Sequence, residues 1–466
     1  MGNYTDGFVS IGTMNYQYGG MIRKGRARIN HRVEYQGQTP HFHALRTDKK
    51  SVYFPITSGT DTMPWAIRTF LTISAVALPL YLYISLRSAS AIGLLRPGAK
   101  RRARRIALLL IACLYCFPAL IVILHLLGHS ANRLELASAG TLVDYLLLYP
   151  QWISLIVVLE LTVPFILLDV AILVGRSVAA RTQQWRVVIA YGRLALVVAV
   201  ILYVPVRVLL DTTRVQDSIV SVRLEGLPEE LQDFRISIVS DIQVDRYTGE
   251  SKIAQVHKII REQSPDVLLS AGDVVTGGTD YLNMAEEAMC GMKGTLASIA
   301  VMGDHDYWSS PAAIRAFQEK CGWLFLENEH RILPWKGKRV LITGLTHIYS
   351  RRLDEPNLDR ILNTAPDADI KILLVHQPAE RIIRRASERG YNIVIAGHTH
   401  GGQIVLHPLG FPLTPSMRET QFYSGVYKVG STTIVVTNGI GLTLAPVRYH
   451  APAEVTSMVI QPGTER

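Results

Sequence analysis

Five short apolar runs in the second half of the chain each end in side chains that bind metals. They close on Asp241 in "VSDIQ", Asp273 in "SAGDVV", Asp304, His305 and Asp306 in "VMGDHDYW", His376 in "LLVHQP", and His398 and His400 in "IAGHTHGGQ". One such ending says little, because strands often terminate in Asp or His. Five in order form a pattern. Mixed carboxylates and imidazoles suit borderline cations, Mn, Fe or Zn. A shared carboxylate holds two such ions roughly 3.5–4 Å apart, activates a water between them and clamps a phosphoryl group. His305 suits proton transfer, because a carboxylate neighbour fixes an imidazole tautomer and raises its pKa. Two residues beyond Asp241, where a second ligand is expected, stands Gln243 rather than a histidine.

The elements that carry these residues alternate. Buried strands are expected at 235–240, 267–271, 298–302, 339–344, 370–375 and 392–396, with further strands near 426–436 and 454–460. Helical periodicity appears at 251–263, 281–292, 311–320 and 379–389. This order predicts an α/β domain over 211–466, its partly parallel sheet covered by helices on both faces. Ligands in such sheets collect at the carboxyl edges of the strands. Glycines beside the candidate ligands are expected to let backbone approach a bulky anion.

The order of motifs, D-x-Q, GD, G-D-H-D, VH and GHTHGGQ, resembles the calcineurin-like metallophosphoesterases, most similarly a membrane-linked branch. That resemblance spans most of 235–460 and none of the first 200 residues. It implies a four-layer α/β/β/α sandwich, two divalent metal ions and phosphomonoesterase, phosphodiesterase or pyrophosphatase activity. It makes Asp273 the bridging ligand, puts Asp241, Gln243 and His400 on one ion, and Asp304, His376 and His398 on the other. His305 then assists the leaving oxygen, with Asp306 orienting its ring. Gln243 replaces the usual histidine by a neutral carbonyl, which favours a harder ion such as Mn. Manganese-dependent ADP-ribose/CDP-alcohol diphosphatases are similar in carrying D-x-Q. Asp304 replaces the usual Asn and adds a negative charge at the second ion.

The first part of the chain is of another kind. Residues 1–210 hold 22 Lys+Arg against 8 Asp+Glu, and residues 211–466 hold 26 against 30. Residues 1–62 are basic and read as a poorly ordered tail. Within 63–210, four apolar stretches at about 66–86, 106–128, 150–175 and 187–206 approach or exceed the ~20 residues that cross a bilayer. They predict an α-helical transmembrane region, a multi-pass protein of the cell membrane with the bilayer as partner. The basic balance belongs to this part and does not call for nucleic acid.

Arg87, Arg96, Lys100, Arg101, Arg102, Arg104 and Arg105 should hold the first inter-span segment in the cytoplasm, which sends 211–466 to the extracytoplasmic side. UDP-diacylglucosamine pyrophosphatases, a similar branch, act on the cytoplasmic side. Met63 offers an alternative start with a short basic leader. "SASA" at 88–91 resembles a signal-peptide cleavage site, but cutting there would leave the Arg/Lys cluster outside, so the first span is expected to stay.

The remaining residues receive plain expectations. Cys290 and Cys321 are taken as free, since pairing requires an oxidising compartment, and Cys113 and Cys116 as inert within a span. Glu160 and Arg193 are expected to pair between the third and fourth spans, with Asp169 nearby. Arg351, Arg352, Arg418 and Arg448 are expected in solvent, with a second phosphate as the alternative, and His347 in a loop. Trp308, Phe411, Phe422 and Tyr423 would rim the cleft for a lipidic substrate, though packing is their default. A small-molecule or lipid phosphate is the expected substrate. The competing readings are a metal-poor scaffold, as in the retromer subunit of this superfamily, and a sensor or transporter built on the spans.

Overall fold

The computed structural model describes residues 7–11, 14–18, 65–127, 141–178 and 182–463. Strands β1 (Gly7–Ile11) and β2 (Met14–Tyr18) form an antiparallel hairpin in a unit of its own, Met1–Ser58. Apart from these strands, the tail expected at 1–62 lies outside the described residues.

Helices α1 (Trp65–Leu95) and α2 (Ala99–Leu126) come next. A short α3 (Thr141–Val143) passes through a π-helical turn, Asp144–Leu148, into α4 (Tyr149–Val178), which α5 (Thr182–Thr213) follows. Four of these helices are long and apolar enough to cross a membrane. Each is longer than the apolar run that announced it, because flanking polar residues continue the helical hydrogen bonding beyond the hydrocarbon. Each also holds one internal proline, at Pro79, Pro118, Pro164 and Pro205. Tyr115 Oη of α2 donates to the Ser74 carbonyl of α1 at 2.7 Å, tying the two helices together.

With no break, α5 hands over to β3 (Val215–Leu224). There follow β4 (Arg235–Val239), α6 (Glu250–Gln263), β5 (Val267–Ser270), α7 (Leu282–Cys290), β6 (Ala297–Ala300), α8 (Asp304–Ser309), α9 (Pro311–Lys320) and β7 (Leu324–Phe325). The second half runs β8 (Glu329–Trp335), β9 (Lys338–Leu345), α10 (Glu355–Asn363), β10 (Ile370–Val375), α11 (Glu380–Glu388), β11 (Ile393–Ala396), β12 (Gly425–Val429), β13 (Thr432–Val436) and β14 (Ala453–Pro462).

Two six-stranded sheets result, ordered β3-β14-β4-β5-β6-β7 and β12-β13-β11-β10-β9-β8. Strand alternation explains their stacking. Ile236, Ile238, Val267 and Leu269 of one sheet meet Ile342, Ile372, Leu374 and Ile395 of the other in a shared core. The intervening residues turn outward: Leu268 meets Val256 of α6 and Met289 of α7, and Leu373 meets Ile383 of α11 and Leu358 of α10. Both faces of each sheet are therefore apolar, and the domain is the four-layer α/β/β/α sandwich. Parallel runs β4-β5-β6-β7 and β9-β10-β11 direct their carboxyl ends toward one edge of the sandwich.

One expectation is overturned here. Cys290, ending α7, is disulfide-bonded to Cys321, the C-cap of α9, because these helices pack side by side and bring their ends together. Cys113 and Cys116 are free.

Candidate functional site

At that edge the strand ends deliver their side chains into one buried cavity. Ligand atoms of Asp304, His376 and His398 lie within 4.8 Å of one another, as do those of Asp241, Asp273 and His376. His376 Nε2 is 3.3 Å from Asp273 Oδ2 and 3.6 Å from Asp304 Oδ2. His398 Nδ1 is 3.3 Å from Asp304 Oδ2, and His400 Nε2 is 3.4 Å from Asp241 Oδ1. Gln243 is fully buried beside them.

The backbone is strained where it presents these groups. Asp241 (φ 49°), Gln243 (φ 44°), Asp273 (φ 58°), His398 (φ 71°) and His400 (φ 51°) all lie in the left-handed region. Each such residue costs on the order of 1–3 kcal/mol and persists only where its surroundings hold it. Here the loops hold one another: the Asp241 amide donates to the Gly272 carbonyl at 2.8 Å, and the Gln243 amide to the Asp273 carbonyl at 3.0 Å. The nearby glycines permit this close approach. A Cβ on Gly303 would sit 2.1 Å from Asp273 Oδ1, and one on Gly397 would sit 1.9 Å from Ser240 Oγ.

Hydrogen bonds around the cavity orient the donors. His376 Nδ1 is bonded to the Ala271 carbonyl at 2.7 Å, which leaves Nε2 facing Asp273 and Asp304. Asp304 accepts from the Tyr349 amide at 2.6 Å and from Gln377 Nε2 at 2.7 Å. Glu419 stands 3.3 Å from His398 Nε2 and accepts from Tyr349 Oη at 2.8 Å. Such outer partners set the tautomer and aim of a metal-binding imidazole. Glu419, Tyr349 and Gln377 were not singled out from the sequence. They come from loops without periodicity, and only Tyr349, two residues past His347, carried a positional hint.

Two expectations about individual residues change. Asp306 does not orient the His305 ring. Its carboxylate accepts the amides of Asp273 (2.8 Å), Val274 (2.8 Å) and Gly303 (3.0 Å), clamping two strand-end loops together. The His305 ring is held instead by Nδ1 on the Thr276 carbonyl at 2.5 Å, with Trp308 beside it. Arg448 is not in solvent. It is fully buried, and its guanidinium donates to the carbonyls of His400, Asn438, Gly441 and Ala451 at 2.8–3.0 Å, because converging loop carbonyls need a multiple donor. Phe422 belongs to the α10/α11 core, whereas Trp308 and Phe411 are exposed. His347 is buried and its Nδ1 accepts the Leu353 amide at 3.2 Å.

Charge in the cavity favours a cation. Burial opposes ionisation of Asp273, but His376 and His305 hold its carboxyl well below the usual range. Burial and the Asp273 charge push Asp306 up to about 7. Burial works against a charged His376, yet Asp273, Asp241 and Asp304 pull its proton affinity well above normal. Three buried atoms, Asp241 Oδ1 and both amide atoms of Gln243, have no hydrogen-bond partner among the described residues. Unpartnered polar atoms at such depth are costly, and an oxygen- and nitrogen-lined cavity of this charge fits divalent metal ions.

Residues 234–402 match the calcineurin-like phosphoesterase family. This part of the chain is a calcineurin-like phosphoesterase domain. The chain is 30% identical over 260 residues to a transmembrane protein with metallophosphoesterase domain from Danio rerio, covering 52% of this chain and 56% of that protein. It is 25% identical over 268 residues to the Bos taurus protein of the same name, with 52% and 56% covered. It is 26% identical over 239 residues to the uncharacterized metallophosphoesterase YkuE of Bacillus subtilis, covering 50% of this chain and 82% of that protein. The aligned part thus spans about half the length of the zebrafish and bovine relatives. The family is metal-dependent, and the phosphoesterase domain has the clustered ligands such chemistry needs.

Two ends of this domain reach the helices. Tyr449, next to Arg448, donates from Oη to Glu160 of α4 at 3.0 Å. Arg193, the expected partner of Glu160, pairs with Asp169 instead, the carboxylate that faces it across α4 and α5. The strap that follows the last two histidines places Ile404 and Leu406 against Trp152 and Val208 in a joint apolar cluster. Its turn, Pro408–Gly410, lies on α4. Beyond that contact Leu409, Phe411 and Leu413 are 69%, 74% and 55% exposed.

Proposed function

We propose that the chain is a membrane-anchored, two-metal phosphoesterase that cleaves a phosphate ester or diphosphate of a lipid-linked substrate on the extracytoplasmic side. The strap carries this reading. It runs from His398 and His400 directly onto transmembrane helix α4 and leaves Leu409, Phe411 and Leu413 bare where acyl chains lie. Large exposed apolar residues clustered beside a membrane span are expected to face lipid.

Asp304, His376 and His398, whose ligand atoms cluster, would hold one cation, and Asp241, with Gln243 and His400 beside it, the other, with Asp273 available to both. When bound, such a pair supplies an activated water and neutralises phosphoryl charge. His305, its Nδ1 fixed on the Thr276 carbonyl, presents Nε2 to protonate the departing oxygen. Two observations favour the extracytoplasmic side: the basic run at 96–105 lies at the other end of the bundle, and the Cys290–Cys321 disulfide suits an oxidising compartment.

The full chain in lipid nanodiscs, titrated with Mn, should hydrolyse lipid phosphates in preference to p-nitrophenyl phosphate or bis-p-nitrophenyl phosphate. Asp273→Ala should fall to background; turnover retained in that variant sinks the two-metal mechanism. A reporter fused at the C-terminus decides the side independently.

A further inference from the structure

A second charged cleft lies at the far end of the helical bundle, where α1, α4 and α5 meet. It has a volume of about 520 Å³, and its polar lining includes Tyr83, Arg87, Asp169, Arg186 and Arg193. Arg193 is 6% exposed and pairs with Asp169. Arg87 Nε reaches the same carboxylate at 2.7 Å, and Tyr83 Oη donates to it at 2.8 Å. Among the described lining residues Asp169 is the one acidic side chain, against three guanidinium groups. Its two oxygens are already engaged by three donors. Arg193 Nε, buried within the bundle, has no hydrogen-bond partner among the described residues. The described lining thus carries about two more positive than negative charges, from Arg87 and Arg186 at the open rim over a buried Arg193 whose Nε lacks an acceptor, and this arrangement favours an anion.

Position and surroundings define that anion. About 30 Å of helix separates Arg193 from Thr213, where α5 enters the phosphoesterase domain. The cleft therefore sits in the opposite leaflet, at the end of the bundle that carries Arg96, Lys100 and Arg101. Ile166, Val170 and Leu173 of α4 flank it and are 47%, 49% and 64% exposed. A ligand that fits both features has one compact negative head and apolar tails. We propose that this cleft binds the phosphate headgroup of an anionic phospholipid, with Arg193 at its floor and Arg87 and Arg186 at its rim. This site does not depend on what the phosphoesterase domain hydrolyses.

The full chain is equilibrated in mixed micelles with equal amounts of phosphatidylglycerol and phosphatidylcholine, and retained lipid is counted by native mass spectrometry. Phosphatidylglycerol should be retained at least about fivefold over phosphatidylcholine, and removing one arginine should lower that ratio about fivefold. Arg193→Gln tests the floor. Arg87→Gln, at a side chain 48% exposed, decides the matter alone if the buried variant does not fold. Equal retention of both lipids overturns the proposal, as does a wild-type ratio in folded Arg87→Gln. Inorganic phosphate displacing the lipid at equal concentration would mark a free-anion site and overturn the lipid assignment.

Discussion

Tyr449 Oη donates to Glu160 Oε1 at 3.0 Å, joining the loop beneath the candidate metal centre to the interior of a membrane-spanning helix. Arg448, one residue earlier, holds the His400 carbonyl at 3.0 Å. Two neighbouring side chains therefore connect a proposed metal ligand to the bundle. Tyr449→Phe leaves Glu160 without this donor and should destabilise the full chain by about 1–3 kcal/mol. Tyr449→Phe combined with Glu160→Leu should recover most of the loss. Thermal unfolding of the two single variants and the double variant measures the coupling; simple additivity would show that the contact carries no energy.

Asp306 and His305 are neighbours with separable duties. Asp306→Asn turns one of the two acceptor oxygens into a donor that faces at least one of the three amides, so the loops that carry Asp273 and Gly303 should part. Both bound metal and turnover are expected to fall, with stability lowered by about 1–3 kcal/mol. His305→Ala should lower turnover while metal content stays near wild type. Elemental analysis alongside a rate assay separates them, and unchanged metal content in Asp306→Asn would contradict the clamp.

In the proposed centre Gln243 would offer a cation a neutral amide oxygen. Gln243→His supplies an imidazole in the same buried place, where both amide atoms lack partners among the described residues. The Mn concentration for half-maximal activity should drop, and Zn should become a better substitute, since imidazole suits Zn. Calorimetric titration of the metal-stripped chain gives the affinities directly. Weaker binding of both ions by the variant would mean that Gln243 does not face a metal.

The candidate ligands were legible because each lies at or just beyond the end of a short, mostly apolar run, the length of a buried strand, which fixes where its carboxyl end falls. Asp241, Asp273 and His376 could be read from that geometry alone. Edge strand β8, "EHRILPW", escaped because its half-exposed face breaks the apolar run. Helix α10 carried a readable signal, with Asp354 as N-cap accepting the Asn357 amide and Pro356 in the first turn, but its nine residues are short. Arg448 looked like a surface cation because no local pattern announces that its own β13–β14 loop folds around it and meets the His400 carbonyl from another loop. Glu160 found its partner 289 residues away, beyond any spacing rule. Glu419 sits in a loop that only tertiary packing brings over His398.

If the bare strap faces lipid, charge there should discriminate between substrates. Phe411→Asp changes a side chain that is 74% exposed and should leave folding within about 0.5 kcal/mol. Hydrolysis of bis-p-nitrophenyl phosphate should be unaffected, whereas turnover of a lipid phosphate in nanodiscs should fall several-fold, mainly through KM. Equal effects on both substrates would remove the lipid-facing role.

Lys252 gives a pH signature away from the metal ligands. It is 6% exposed, and its Nζ has no hydrogen-bond partner among the described residues. Burial first, then the charge of Arg448, push its pKa from 10.5 down to about 7, with Asp245 pulling weakly the other way. Below pH 7 the amine is charged in both folded and unfolded chains, so its full cost is present. Between about 7 and 10.5 the unfolded chain binds more protons, so this group makes stability rise with pH. Lys252→Met should therefore stabilise the protein at pH 7 by an amount on the order of a few kcal/mol, with the gap closing toward pH 10.5. Melting temperatures of both proteins from pH 6 to 10 test this. Curves that stay parallel across the interval would mean that the Lys252 amine is solvated in the folded state.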